Sequence, residues 1–205
     1  MMSISLVKGQ KISLEKSGGG TLQNICVGLN WGAIDGKGFF GGKKKVAVDL
    51  DASCAMFDAN GQVLDVIYFG NLKSKDGSII HSGDDVTGDV DGDDGLDNEV
   101  IVVNLPKIPA STDKIVFVLN SFKGQDFATV PFAAIRIYEG SPEVVNNVLA
   151  KYDIARDSKF SGSVSMVMGR FYRHNGAWKF VALGEPTQDK KLEETINTVQ
   201  QKFLN

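Results

Sequence analysis

Residues 45–69 read KVAVDLDASCAMFDANGQVLDVIYF, two apolar runs on either side of one Asn-Gly pair. Apolar and polar residues alternate at the start of the first run, so that its valines and leucine would share one face of a strand. Asn60–Gly61 readily adopts the positive φ of a two-residue type I′ turn. The stretch therefore predicts an antiparallel hairpin formed by Lys45–Phe57 and Gln62–Phe69.

The same pattern of short apolar runs separated by Gly, Asn and Asp continues along the chain. It predicts six further strands: Thr21–Trp31, Glu99–Leu105, Lys114–Ser121, Thr129–Tyr138, Ser163–Tyr172 and Ala177–Leu183. A second Asn-Gly pair, Asn175–Gly176, joins the last two strands. So many strands, mostly without helices between them, predict a mainly β protein built as an antiparallel β-sandwich.

The C-terminal segment has helical periodicity instead. Four apolar residues recur there at spacings of four, three and four: Leu192, Ile196, Val199 and Phe203. This stripe predicts an amphipathic helix that covers a sheet. Ser141–Pro142 has the features of another helix start, while the following residues also fit a strand, and both alternatives stay open. No repeat or linker divides the sequence, so we expect one domain over residues 1–205.

Composition describes an ordinary globular chain of 205 residues, 42% hydrophobic and 23% charged. The sequence contains no run of about 18 apolar residues, so we expect no transmembrane helix. The first residues lack the apolar core and cleavage site of a secretion signal, so we expect a cytoplasmic protein. Cys26 and Cys54 lie in apolar runs and are predicted to be buried, reduced thiols. The net charge of −3 argues against a nucleic-acid partner.

The strongest chemical signal is an acidic segment, residues 84–99, with seven aspartates and one glutamate. Without them the chain would hold 22 basic and 17 acidic residues, a net charge of +5. Carboxylates this dense repel one another, so a folded loop needs a compensating cation. Hard oxygen donors punctuated by glycines favour calcium. The candidate ligands in the segment are its acids: Asp84, Asp85, Asp89, Asp91, Asp93, Asp94, Asp97 and Glu99.

Asp49 and Asp51 extend the candidate site to a strand. Both interrupt an apolar run on one face, where an isolated carboxylate is costly without a partner. A metal ion held between this strand and the acidic segment would supply that partner. An EF-hand is excluded, because Asp94 stands where the motif requires Gly and Val100 where it requires Glu. Two His and two Cys without ligand spacing argue against zinc.

Several ordered motifs resemble the TerD family of tellurite-resistance and stress proteins. They are SLVKGQKISL at residues 5–14, VGLNW at 27–31, DLDAS at 49–53, HSGD at 81–84, DGDD at 91–94 and YRHNGAWKF at 172–180. The resemblance runs nearly end to end. It implies a β-sandwich that binds calcium through an Asn-containing motif and a Gly-Asp-Asn motif.

Carried onto this sequence, the resemblance makes a set of residues ligands of one or two calcium ions: Asp51, Asn71, Asp84, Asp91 and the segment Asp93–Glu99. The sequence departs from the family pattern at three places. Gly70–Asn71 stands where two asparagines are expected, and Gly83–Asp84–Asp85 stands where Gly-Asp-Asn is expected. Four residues, 95–98, are inserted before Glu99.

The resemblance implies a calcium-binding stress-response protein associated with tellurite resistance, acting as a sensor or scaffold. Other stress-response proteins would be its partners, bound in a calcium-dependent manner. One alternative is a metal-dependent phosphohydrolase that uses the Asp-rich loop. No basic residue flanks that loop in sequence to hold a phosphate, so we expect no catalysis and predict that His81 orients the loop. A calcium-dependent lectin-like module fits the fold class but lacks a secretion signal.

Overall fold

The computed structural model describes residues 4–5, 8–15, 20, 22–37, 43–154 and 158–205. Its strands are β1 (Ile4–Ser5), β2 (Lys11–Ser13), β3 (Asn24–Trp31), β4 (Ile34–Lys37), β5 (Lys43–Val46), β6 (Leu50–Phe57), β7 (Val63–Ile67), β8 (Ile79–His81), β9 (Glu99–Asn104), β10 (Lys114–Ser121), β11 (Ala133–Ser141), β12 (Val144–Asp153), β13 (Ser165–His174) and β14 (Ala177–Thr187). Single 3-10 turns span Leu105–Lys107, Phe127–Thr129 and Ser158–Phe160, and helix α1 spans Leu192–Lys202.

The strands form two six-stranded sheets and a separate hairpin. Sheet A has the order β1-β12-β11-β3-β9-β8, and sheet B has the order β2-β14-β13-β10-β6-β7. Neighbours within both sheets are antiparallel, except that β1 runs parallel to β12. Among the residues that the structure describes, strands β4 and β5 pair only with each other.

Alternate residues of the two sheets meet in one hydrophobic core. Val27 and Ile101 of sheet A are buried there with Cys54 and Phe117 of sheet B. The sheets therefore pack face to face, and this confirms the predicted β-sandwich.

Helix α1 covers the outer face of sheet B. Its residues Ile196 and Val199 pack against Val116 and Val118, which point away from the main core. The predicted amphipathic helix is therefore confirmed, and the spacing of its apolar residues places them on the face that meets the sheet. Within the described part of the chain, no helix is long and apolar enough to cross a membrane.

The predicted strand Lys45–Phe57 is wrong in one respect, because the structure divides it. Its first residues belong to β5, which pairs with β4 rather than with sheet B. The chain then leaves the ladder: the Val48 N–H donates to the Thr87 carbonyl, and the Asp49 carbonyl accepts from the Phe122 N–H. Asp49 therefore precedes β6, while Asp51 lies within it.

The segment after Ser141, for which helix and strand were both open, is strand β12. The predicted strand Thr129–Tyr138 begins only at Ala133, because Phe127–Thr129 forms a 3-10 turn. Thr21, the first residue of another predicted strand, lies outside the described residues. Both cysteines are buried and free, as the sequence predicts.

Candidate metal centre

Three aspartates meet at the start of β6 in sheet B. Asp49 precedes β6, Asp51 is its second residue, and Asp84 follows β8. One carboxylate oxygen of each lies within 4.8 Å of the others. Asp49 and Asp51 are only 3% and 6% exposed, whereas Asp84 is exposed. We call this group the strand cluster.

The strand cluster carries uncompensated negative charge. Burial, and after it the charges of Glu99, Asp49 and Asp84, raise the pKa of the Asp51 carboxyl to about 7. Lys123 supplies one positive charge, with its Nζ 3.1 Å from Asp49 Oδ2. Three carboxylates beside one half-exposed ammonium leave a net charge that a hard divalent cation would neutralise.

Glu99, a predicted ligand, lies behind the strand cluster and is fully buried. The Ala52 N–H donates to its Oε2 at 2.8 Å, and the Asp85 N–H donates to its Oε1 at 3.2 Å. Burial raises the pKa of the Glu99 carboxyl, and its hydrogen bond with His81 opposes this rise. Glu99, the first residue of β9 in sheet A, therefore links that strand to β6 in sheet B and to Asp85 near the start of the acidic segment.

His81 is buried beside Glu99, with its Nε2 3.5 Å from Glu99 Oε2. The Gly83 N–H donates to His81 Nδ1 at 3.1 Å, so that nitrogen is an acceptor. The other nitrogen, Nε2, then carries the proton and donates to the Ala52 carbonyl at 2.9 Å. These contacts link β6 to Gly83, the residue immediately before the acidic segment. That His81 orients the loop stays a prediction.

Asp89, Asp93 and Asp94 form a second group, the loop cluster, with one oxygen of each within 4.8 Å of the others. Asp89 is half-buried, and the other two are exposed. Burial, opposed by a hydrogen bond from Asn98, raises the pKa of Asp89. Hydrogen bonds from the Gly95 N–H and the Asn30 amide lower the pKa of Asp93. Donors from the protein already satisfy part of this cluster.

Asn98 organises the acidic segment, and the sequence analysis missed it. Its Oδ1 accepts from the Trp31 N–H at 2.8 Å, while its Nδ2 donates to Asp89 Oδ1 at 2.8 Å and to Asp85 Oδ2 at 3.2 Å. Trp31 is fully buried, and its Nε1 donates to the Val48 carbonyl. Asn98 lies within the four inserted residues, and no spacing rule marks it. Its donors and acceptor become visible only once β3 is beside it.

Asp97, also a predicted ligand, is engaged by arginine. Arg136 Nε donates to Asp97 Oδ1 at 2.7 Å, and the Asp97 side chain is fully buried. Burial raises the pKa of Asp97, and Arg136 opposes this rise. Gly28 makes room for the pair, because a Cβ there would lie 1.9 Å from Asp97 Oδ2. Asp97 therefore fastens the acidic segment to sheet A.

The three remaining predicted ligands lie outside both clusters. Asp85 Oδ1 accepts from the backbone N–H groups of Thr87 and Gly88, which closes a local turn. Asn71 Nδ2 donates to the Val66 carbonyl at 2.7 Å, near the end of β7. Asp91 is exposed and belongs to neither group of carboxylates.

A TerD domain model matches residues 2–198 of the chain. The Stress response protein SCP2 of Bacillus subtilis (strain 168) is 41% identical, with 96% of this chain and 98% of that protein aligned. The Tellurium resistance protein TerD of Alcaligenes sp is 40% identical over 89% of this chain and 90% of its own length. The crystal structure of a homologue of telluride resistance protein (TerD) from Streptomyces coelicolor A3(2) has the same fold, with a TM-score of 0.63 and 19% identity over 82% of this chain and 92% of that one.

Proposed function

The chain belongs to the TerD family of tellurium-resistance and stress-response proteins, and from that premise we propose that it binds calcium and acts as a sensor or scaffold. The strand cluster is the primary site in this proposal, and the loop cluster is a weaker second one. Carboxylates from flexible loops and a strand suit the 6–8 oxygen ligands of calcium better than the rigid octahedron of magnesium.

One observation carries the proposal: two buried aspartates and a third carboxylate converge within 4.8 Å. Such a group is costly in the absence of a cation, because burial opposes ionisation and the like charges repel one another. The position of Glu99 and His81 behind it adds a fixed scaffold, which holds the strand and the acidic segment together.

Calorimetric titration of calcium and of magnesium into metal-free protein tests the proposal. We expect calcium to bind more tightly than magnesium, and Asp51→Asn to abolish most of the calcium heat. Glu15→Gln is the control, because Glu15 is an exposed acid outside both clusters, and its Oε2 accepts from the Ser13 hydroxyl. Absence of heat with calcium, or equal affinity for both ions, would reject the proposal.

A sensor or scaffold would need calcium to change what the protein binds. We propose that occupancy fixes the acidic segment against β6 and presents an ordered surface to other stress-response proteins. Direct capture of tellurite is not part of the proposal, because an oxyanion would meet a field of carboxylates. A pull-down from stressed cells with calcium-loaded protein and with Asp51→Asn should recover partners with the loaded protein alone; identical partners in both samples would contradict the sensor role.

A phosphohydrolase stays the second candidate. The acidic segment has no basic residue beside it in sequence, but the fold brings the Lys123 side chain to the strand cluster. Lys123 reaches Asp49 at the strand cluster and could hold a phosphate only by leaving that carboxylate. We propose that the protein is not an enzyme. Turnover of a phosphate ester that disappears in Asp84→Ala and in Lys123→Ala would favour the phosphohydrolase instead.

A further inference from the structure

An open cleft of about 380 Å³ lies between the start of α1 and the outer face of sheet B. This volume is in the range of pockets that hold small molecules. Its lining combines exposed aromatic rings, two lysines and a buried amide. The rings and the lysines are exposed to solvent, and one oxygen of the amide has no hydrogen-bond donor among the described residues.

The aromatic part is the outer wall. Phe122 is 64% exposed and Phe69 is 37% exposed. The two rings meet edge to face, with centroids 5.9 Å apart and an angle of 85° between their planes. Tyr68 packs against Phe69 in the same manner at 5.3 Å. Large aromatic side chains left open to solvent at a cleft offer their faces to a planar ligand.

The basic part is the start of α1. Lys190 and Lys191 are exposed, and neither ammonium makes an ion pair with any residue that the structure describes. Lys191 is the N-cap residue, and its side chain does not cap the helix. Glu193 and Glu194 stand in the first turn of the helix, and Glu194 Oε2 accepts from the Lys190 N–H at 2.8 Å. An anion at this end therefore depends on the two lysine ammonium groups, which reach beyond those carboxylates into the cleft lining.

The amide is that of Asn120, which is 7% exposed and lies opposite Asp51 in the β6–β10 ladder. The Thr195 hydroxyl donates to the Lys191 carbonyl, so its oxygen accepts from Asn120 Nδ2 at 2.9 Å. This chain of hydrogen bonds fixes the amide orientation. Asn120 lines the cleft, its Oδ1 is buried, and no residue that the structure describes donates to that oxygen. A buried acceptor of this kind calls for an N–H or O–H group from a ligand.

We propose that the cleft is a binding site for a small organic anion with a planar aromatic ring. The ring stacks on Phe122 and Phe69, the anionic group lies at Lys190 and Lys191, and a donor on the ring reaches Asn120 Oδ1. Aromatic phosphates and aromatic carboxylates share this chemistry. The cleft adjoins the strand cluster, because Asp51 belongs to that cluster and also lines the cleft.

Two probes separate the sources of the anion: adenosine monophosphate and 4-hydroxyphenylacetate. Each is titrated into isotope-labelled protein and followed by NMR, once with calcium and once with a chelator. Inorganic phosphate, which has no ring, is the reference. Phe122→Ala and the double variant Lys190→Ala/Lys191→Ala change exposed side chains of the cleft. Lys107→Ala is the control, because Lys107 is an exposed lysine in the 3-10 turn after β9 and is not among the residues that line the cleft.

We expect saturable binding of at least one aromatic probe, in either calcium state, with a Kd of about 1 mM or below. Phe122→Ala and the double lysine variant should each weaken it by about tenfold, and Lys107→Ala should leave it unchanged. Inorganic phosphate should bind at least about tenfold more weakly than that probe. Absence of saturable binding for both probes, or binding that either cleft variant leaves unchanged, would overturn the proposal.

Discussion

The strand cluster and the loop cluster each bring three aspartates within 4.8 Å, yet their surroundings differ. In the loop cluster, amide and backbone donors already reach Asp89, Asp93 and Asp94, and two of the three carboxylates are exposed. In the strand cluster, no described residue donates a hydrogen bond to the carboxylates of Asp51 and Asp84. A cation at the loop cluster would therefore add to donors that are already present, whereas a cation at the strand cluster would relieve repulsion between buried carboxylates. Burial and unmet charge, rather than the number of acids, distinguish the better candidate.

The largest expected effect is at Asp51. Asp51→Asn should weaken calcium binding by about 100-fold or more, or about 2.8 kcal/mol, while Asp93→Asn should weaken it by less than about tenfold. The free energy of unfolding of metal-free Asp51→Asn should be unchanged or higher, because repulsion is relieved. Calorimetry and thermal melting measure the two quantities. If Asp93→Asn has the larger effect on affinity, the ranking of the clusters is reversed.

Arg136→Met should have the next largest effect, because it removes the contacts of Arg136 with Asp97 and Gly95 that hold the acidic segment against sheet A. It leaves the buried Asp97 carboxylate without its cation and should lower the free energy of unfolding by about 2 kcal/mol, less than for a fully buried pair because Arg136 is 18% exposed. Adding Asp97→Leu to Arg136→Met should restore part of this loss. Denaturant unfolding checks both variants, and equal stability of Arg136→Met and wild type would contradict the anchoring role of Asp97.

Calcium affinity and the stability of the metal-free protein should both depend on pH through Asp51. Because burial and neighbouring carboxylates raise the pKa of Asp51 to about 7, a calcium ion that binds the strand cluster below that pH would have to displace a proton. Its affinity should fall about tenfold per pH unit below 7 and level off above it. In the metal-free protein the sign is opposite: the raised pKa makes stability fall as pH rises from about 4 to about 7. Titrations at several pH values test both, and a pH-independent calcium affinity would contradict this role of Asp51.

The smallest effect is expected at Asp91. The resemblance implies that it is a ligand, whereas its carboxylate belongs to neither cluster. Asp91→Asn should change calcium affinity by less than about twofold, since screened water-exposed charge contributes little. A loss comparable to that of Asp51→Asn would mean that calcium draws Asp91 into the site.

Much of the fold is predictable because its strands carry their own periodicity. Lys114–Ser121 is predicted with the bounds that the structure has, and both Asn-Gly pairs connect paired antiparallel strands. The predicted type I′ turn at Asn60–Gly61 is wrong, because Asn60 does not have the positive φ that this turn requires. The missed strands β1, β2, β4 and β8 have two to four residues, too few to show a period. The break before Asp49 is not visible either, because it depends on contacts with Thr87 and Phe122 that are distant in sequence.

The candidate site is predictable in composition but not in arrangement. Density of acids singles out Asp49, Asp51 and the acidic segment. Their division into two clusters depends on tertiary partners. Arg136 pairs with Asp97, and Asn98 donates to Asp85 and Asp89. These partners become identifiable only when the sheets place them side by side.

The most direct test of the central claim is a crystal structure of the wild-type protein grown with calcium, with anomalous scattering used to locate the ions. We expect a calcium ion coordinated by Asp49, Asp51 and Asp84, with any second ion at the loop cluster at lower occupancy. A calcium ion at the loop cluster alone, or a strand cluster without an ion at saturating calcium, would contradict it.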